Sequence, residues 1–346
     1  MEKLKEILAI PGVSGYENRI VEFFKKEFLS LGYSYKRDNL GSIIFFKNKN
    51  DSKAKKVIID THIDEVGFLI TNLNEDGTVL IESIGGINLK LMQTQVLEVW
   101  SSNFKKKYLA ILTFPNQDDK DLDLQKAILD LGFKSKEDLI KHDINVGSSV
   151  TFPNLFQENE ISILSKGIDN RLGAYISLNL ARDLAKKSLK FNLEFVFSTQ
   201  EEVGLRGSRT AIYNQNPDLV IVIDISPAYD LDKKGSPYGI LGEGTMLRHK
   251  DAYTIYKKKI IIFLRNLFKK ENIKYQDYFS LGGTNAGIIQ LLKEGILVFP
   301  IGLCARNIHT GLAIVNKNDL METERGLRIL INKINDNLIK KGTLIN

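Results

Sequence analysis

Cysteine is nearly missing from the 346-residue chain: Cys304 stands alone. An intramolecular disulfide framework and a thiolate-rich zinc cluster are therefore both excluded. Histidine is almost as scarce, with four residues in all, so any metal must rest mainly on carboxylates. No stretch approaches the ~18 consecutive apolar residues of a membrane span, so no membrane partner is expected. The opening Met1-Glu2-Lys3-Leu4-Lys5-Glu6 alternates charged and apolar residues. It lacks the basic region and hydrophobic run of a secretory signal, and with the lone cysteine this makes a reducing cytoplasm the expected compartment. Neither sign of charge dominates, since 48 Lys+Arg against 42 Asp+Glu leave +6. The lysines are spread as doublets and triplets such as Lys55-Lys56 and Lys257 to Lys259, where a nucleic-acid protein would concentrate its charge beside exposed aromatics. That distribution describes a solvated surface and gives no nucleic-acid partner.

What is present is globular: 43% hydrophobic and 26% charged residues exclude collagen-like and mostly disordered chains. The length exceeds one ordinary core and implies two domains, or one domain with an insertion. Apolar residues Ile20, Val21, Phe24, Phe28 and Leu31 recur at helical spacing after the turn Pro11-Gly12-Val13-Ser14-Gly15. Strands are predicted at 42–46 and from Val57 into Asp60-Thr61-His62-Ile63-Asp64. Short β-like runs follow at 67–71, 79–84, 96–100 and 109–113, with a helical excursion at 135–141 and a close near Val150-Thr151-Phe152. Beyond residue 162 helices alternate with apolar strands: a helix over 170–187, strands at 193–198 and 219–223, a helix over 255–271, a strand at 296–301 and a helix over 318–340. The reading is an α/β fold with a mixed sheet flanked by helices, formed by residues 1–65 and 162–346. A small β-rich domain is inserted at 66–161.

Chemistry-bearing residues recur at the ends of these strands. His62 and Asp64 share a face, so imidazole and carboxylate can meet. Asp169 precedes a helix, where by itself it would be an ordinary N-cap. Glu201-Glu202 follows the strand at 193–198; adjacent residues leaving a strand point in opposite directions, one toward a metal and one toward substrate. Asp224 ends the run Val220-Ile221-Val222-Ile223, and His309 lies eight residues beyond the strand ending at Ile301. Singly each has a bland explanation. Together they supply N/O ligands for two divalent ions, a bridging carboxylate and a spare carboxylate to serve as base.

These residues resemble the tetrahedral, or glutamyl, aminopeptidases among the co-catalytic dinuclear metallopeptidases, some members of which have been labelled cellulases or endoglucanases. The likeness is carried by Pro11-Gly12-Val13-Ser14-Gly15-Tyr16-Glu17, by Thr61-His62-Ile63-Asp64-Glu65-Val66-Gly67 and by Gln200-Glu201-Glu202-Val203-Gly204. In the insertion it is carried by Leu129-Asp130-Leu131-Gly132. The resemblance implies one ion on His62, Asp169 and Asp224 and another on Asp169, Glu202 and His309, with Asp169 bridging. It implies Glu201 as general base and Asp64 as the partner behind His62; the His and carboxylate ligands themselves accept Zn, Co or Mn. It also implies dimerisation through the insertion and assembly of the dimers into a dodecameric shell. Three positions depart from the family pattern: Asn285 in place of an aspartate, Asn307 in place of an aromatic, and Ala313 in place of an acidic residue. These bear on substrate preference more than on metal binding. An acidic loop, Asp118-Asp119-Lys120-Asp121, could alter assembly contacts.

The expected activity is removal of N-terminal residues from short peptides, with Glu201 activating a water shared by both metals. A deacylase or amidase acting on N-acyl amino acids, and a non-catalytic assembly homologue, are the alternatives. A cellulase reading is disfavoured because Glu201 and Glu202 should point apart, whereas glycosidase carboxylates face one bond from roughly 5–10 Å.

Overall fold

Runs such as Val57-Ile58-Ile59 and Val220-Ile221-Val222-Ile223 carry no polar alternation, which only a strand covered on both faces can satisfy. The structure, a computed structural model, describes residues 1–47, 54–114, 123–231 and 237–334. The chain opens with α1 (Glu2–Ala9) and α2 (Asn18–Ser30), then β1 (Ser34–Arg37), β2 (Ile43–Phe46) and β3 (Lys56–His62). Next come β4 (Gly67–Leu73), β5 (Thr78–Ile84), β6 (Val96–Trp100), β7 (Lys107–Thr113), β8 (Ile128–Asp130), α3 (Lys136–Lys141) and β9 (Ser149–Thr151). The chain continues through β10 (Phe156–Glu158), β11 (Ser162–Ser165), α4 (Ile168–Leu184), β12 (Asn192–Ser198), α5 (Arg206–Tyr213) and β13 (Leu219–Pro227). It ends with β14 (Thr245–Lys250), α6 (Lys258–Lys270), β15 (Tyr275–Phe279), α7 (Ala286–Ile289), β16 (Val298–Arg306), β17 (Ala313–Asn316) and α8 (Lys317–Lys333).

Nine strands form one mixed sheet in the order β1-β2-β12-β3-β13-β16-β17-β11-β10. Its centre, β12-β3-β13-β16, is parallel, and the strands toward both edges are antiparallel. Helix α4 packs over β3 and β13, and α5 and α8 pack on β12 and β16. The core of this body includes Phe28, Phe45, Ile59, Phe195, Phe197, Ile221 and Phe299, all fully buried.

The alternating runs between Gly67 and Thr151 close on themselves as a six-stranded barrel, β4-β5-β8-β7-β6-β9. It has its own core of Phe68, Ile70, Val79, Leu97, Val99, Leu112, Leu129 and Val150. Strand β9 closes the ring by pairing with both β4 and β6. Helix α3 starts where the Ser135 side chain accepts a hydrogen bond from the Asp138 amide, an N-cap the sequence makes legible. After the barrel, β10 already pairs within the large sheet.

Some boundaries move. Strand β16 runs on to Arg306, five residues past the predicted end, because β13 pairs with it as far as Ala305 and β17 pairs at Ala305 and Arg306. His309 therefore stands three residues beyond a strand end, not eight. The helix foreseen from 255 begins at Lys258, and the final helix is described to Lys333. The acidic loop at 118–121 and the chain beyond 334 lie outside the described residues.

Candidate metal centre

A Rossmann-like principle governs where the polar residues gather: parallel strands covered on both faces leave their carboxyl ends as the open crevice. His62 is the last residue of β3, Asp224 lies near the end of the adjoining β13, and Asp169 opens α4. Asp169 is not an N-cap. Asp169 has an extended backbone (φ −83°, ψ 111°), and Asn170, also non-helical, caps the helix proper: its Oδ1 accepts the Gly173 amide at 3.1 Å. Its carboxylate faces both imidazoles, with Oδ1 at 3.1 Å from His62 Nε2 and Oδ2 at 3.5 Å from His309 Nε2. Asp224 Oδ1 lies 3.6 Å from His62 Nε2, and Glu202 Oε2 lies 3.2 Å from His309 Nε2. Donor atoms of His62, Asp169 and Asp224 fall within 4.8 Å of one another, as do those of Asp169, Glu202 and His309. The two triads share Asp169.

All seven residues singled out in the sequence meet at this point. One expectation fails: Glu201 and Glu202 do not diverge. An oxygen of each lies within 4.8 Å of the other and of His62. The reason is local. Gln200 turns the chain in a left-handed conformation (φ 54°), so the pair leaves β12 in a bend and not in an extended strand. Asp64 explains how the bend is held. Its Oδ1 accepts the Glu201 amide at 3.0 Å and its Oδ2 accepts the Glu202 amide at 3.1 Å and the Ser14 hydroxyl at 2.6 Å. His62 Nδ1 is 3.5 Å from Asp64 Oδ1, an ion-pair distance and too long for a good hydrogen bond.

The cluster draws positive charge strongly. Burial pushes Asp169 upward, but hydrogen bonds from His309 and His62 outweigh it and hold the carboxyl well below the ordinary range. Burial would lower His309, yet Asp169 and Glu202 lift it to about 11. His62, opposed by burial in the same way, is raised by Glu201 and Asp169. Burial raises Glu201 well above an ordinary carboxyl, reinforced by Asp224 and Glu202. Glu202 Oε1 is buried without a hydrogen-bond partner. Five carboxylates (Asp64, Asp169, Glu201, Glu202, Asp224) against two imidazoles, with N/O donors only, fit one or two divalent cations.

The cleft above the cluster has a volume of about 590 Å³ and is otherwise lined largely by neutral groups, among them Ser226, Tyr229, Tyr253, Leu281 and Thr310. Of the three departures from the family pattern, Asn285 does not reach the cleft. It lies 1% exposed beneath the site and donates to Asp60 Oδ2 at 2.8 Å and to the Ser198 hydroxyl at 2.9 Å. Asn307 is exposed in a left-handed backbone, and Ala313 is buried at the start of β17. Sequence reasoning missed Ser14 and Glu17, which fasten the Glu201-Glu202 bend, although both lie in the quoted Pro11–Glu17 segment. It also missed Gly86, whose carbonyl has no signal in a side-chain pattern, and Arg248, a charge buried in β14, a strand that no reading of the sequence placed.

A carboxylate and imidazole cluster at the carboxyl edge of a mixed sheet, beside an inserted barrel, defines a hydrolase of the metal-dependent aminopeptidase class. The profile of the M42 glutamyl aminopeptidase family matches residues 41–325, and the chain belongs to that family. It is 31% identical over 343 residues to the glutamyl aminopeptidase of Lactococcus lactis subsp. cremoris, covering 96% of each chain. An aminopeptidase structure from the archaeon Desulfurococcus kamchatkensis matches with a TM-score of 0.92 at 27% identity, covering 100% of this chain and 98% of that one. The TET1 peptidase of Pyrococcus horikoshii, whose structure is described as assembling into a tetrahedron or a large octahedral shell, shares the fold. Its TM-score is 0.85 at 24% identity, covering 96% of this chain and 99% of that one. Among the described residues no helix is long and apolar enough to cross a membrane.

Proposed function

We propose that the chain is a dinuclear aminopeptidase that trims N-terminal residues from short peptides. The observation carrying this is the pair of donor triads that share Asp169, with Glu201 beside them. His62, Asp169 and Asp224 would hold one ion, and Asp169, Glu202 and His309 the other. Two divalent ions, Zn, Co or Mn, would supply the charge that polarises a scissile carbonyl and acidifies water. Glu201 takes the proton of the attacking water and returns it to the leaving amine. Its raised proton affinity, from burial and from Asp224 and Glu202, suits a carboxylate that must hold a proton between those two events. Asp64 acts by fixing both amides of the bend and backing His62.

An acidic N-terminal side chain is the substrate we favour, in line with the name of the lactococcal relative. Arg248 is 3% exposed, donates from Nη2 to the Ser226 hydroxyl at 2.7 Å, and leaves Nη1 without a hydrogen-bond partner. Ser226 lines the cleft, so a carboxylate reaching that wall would meet a buried guanidinium whose hydrogen-bond partner is neutral.

For the insertion, expected over residues 66–161 and folded as the barrel between Gly67 and Thr151, we propose an assembly role. Val96, Leu109 and Ile111 are exposed on its outer face, and Val96 stands opposite Ile111 in the β6–β7 ladder. Three apolar side chains on one sheet face suit a homo-oligomeric contact, built from dimers into a shell such as the TET1 relative forms. A reducing cytoplasm suits a chain whose single cysteine is buried and unpaired.

The test is a panel of Glu-, Leu- and Lys-anilides with N-acetyl amino acids, each with added Zn, Co and Mn. Hydrolysis of the free-amine substrates, fastest for Glu, is expected. Glu201→Gln should retain the metals by elemental analysis while kcat falls by about 10²–10⁴. Full turnover in that variant removes Glu201 from its role, and turnover of the N-acetyl compounds alone would make the chain a deacylase.

A further inference from the structure

His309 is held in a way that His62 is not. It sits in a left-handed backbone (φ 60°), two residues after Asn307 in the same region (φ 56°), and its side chain is 29% exposed. A non-glycine residue in that conformation persists only where its surroundings over-determine it. The contact that does so comes from the inserted barrel. The Gly86 carbonyl, two residues beyond the end of β5, accepts a hydrogen bond from His309 Nδ1 at 2.8 Å. An acceptor at that distance demands a proton on Nδ1. It leaves the Nε2 lone pair of the neutral ring facing Glu202 and Asp169, at 3.2 and 3.5 Å.

The turn that carries this carbonyl has no freedom to drift. Gly85 has φ +84°, and a Cβ there would lie 2.7 Å from Val66 Cγ1 and 3.3 Å from Glu202 Cβ. The barrel tip is thus packed against the Val66 side chain and against the Cβ of a second candidate ligand, Glu202. Asn88 and Leu91, on the same excursion from the barrel, line the cleft.

We propose that the Gly85–Gly86 turn is a positioning element of the metal centre. By fixing the tautomer and aim of His309, the insertion sets the affinity of the Glu202–His309 metal position, and does not serve assembly alone. The proposal rests on reading His309 and Glu202 as ligands. Gly85→Ala should force the turn away from Val66 and Glu202 and carry the Gly86 carbonyl off His309. Losses of such outer hydrogen bonds weaken metal binding by about 10–100-fold.

The test is calorimetric zinc titration of the full-length apoprotein, with thermal unfolding run in parallel. Gly132→Ala is the control: it lies in the same barrel with φ +76° and nothing within 4 Å of its added Cβ, so it carries like backbone strain without the contact. Expected is one zinc equivalent weakened 10–100-fold in Gly85→Ala alone, with the other equivalent and the Gly132→Ala control within about twofold of wild type. Two wild-type equivalents, both undiminished in Gly85→Ala, would overturn the proposal. Wild type that binds no zinc would instead overturn the ligand reading beneath it. Should Gly85→Ala fail to fold, the wild-type zinc protein still decides. Nitrogen-15 spectra of its histidines, assigned through His309→Gln, should show the proton on Nδ1 of His309, and a proton on Nε2 would refute the arrangement.

Discussion

The two halves of the metal centre are built on different foundations. His62 and Asp224 come from neighbouring parallel strands, β3 and β13, and are 2% and 7% exposed. Glu202 and His309 come from loops, and His309 depends on a carbonyl from a separate folding unit. The first half is as rigid as the sheet that carries it. The second is only as rigid as the seating of the barrel tip, and the seating of the bend that Asp64 and Glu17 hold. Burial costs differ accordingly: the first half surrounds a fully enclosed imidazole with carboxylates, while the second opens onto the cleft.

Removing each histidine tests this division with the largest expected effect. Both His62→Ala and His309→Ala should bring turnover close to background and lower metal content by elemental analysis. Their stabilities should part. Without His62, Asp64, Asp169 and Asp224 lose the buried cationic partner they share, and loss of one partner in a buried ionic cluster costs about 3–5 kcal/mol. Without His309, which is 29% exposed but faces the buried carboxylates of Asp169 and Glu202, the cost should be smaller, about 1–3 kcal/mol. Urea unfolding of the chelated proteins measures both. Equal losses would break the comparison.

Asn285 offers a smaller test of the sheet-borne half. Its amide nitrogen satisfies Asp60 on β3 and Ser198 on β12, while its oxygen accepts from Ser208 at 2.9 Å. An aspartate here would set two buried carboxylates face to face, since Asp60 is 0% exposed. Asn285→Asp should therefore cost about 1–3 kcal/mol at neutral pH. Adding Asp60→Asn should return most of that loss, because the pair then exchanges donor and acceptor. Cleft specificity should not change, and a changed Glu/Leu rate ratio would show that Asn285 reaches substrate after all.

The same contrast explains what the sequence made legible. Residues on the rigid half announce themselves: His62 and Asp224 end or follow uninterrupted apolar runs, and such runs fix both the strand and its open end. The barrel strands were also readable from alternation and turn residues, although alternation cannot say that β9 closes the ring between β4 and β6. On the other half the signal thins. The extension of β16 to Arg306 depends on partners far along the chain, and so the sequence overstates the distance from that strand to His309. The convergence of Glu201 and Glu202 depends on a left-handed Gln200 that no propensity predicts. Backbone groups such as the Gly86 carbonyl are invisible to any pattern of side chains.

Glu17 gives the mildest test, and it acts on the loop-borne half through pH. Its Oε1 accepts the Gly15 amide at 2.8 Å and the Gln200 amide at 3.0 Å, tying the opening turn to the bend that carries Glu201 and Glu202. Burial, helped by the charge of Asp64, pushes its carboxyl up to about 7. A carboxyl raised on folding binds its proton more tightly in the native state. Its contribution to stability is thus complete below the ordinary value near 4.5 and is lost as pH rises through about 7. Glu17→Gln keeps an acceptor oxygen for both amides and removes the ionisation. The melting temperatures of wild type and variant should therefore lie close together at pH 4.5 and separate progressively toward pH 8, with the variant higher. Parallel profiles over that range would mean that Glu17 is no buried acid in solution, and that the bend is looser than its hydrogen bonds imply.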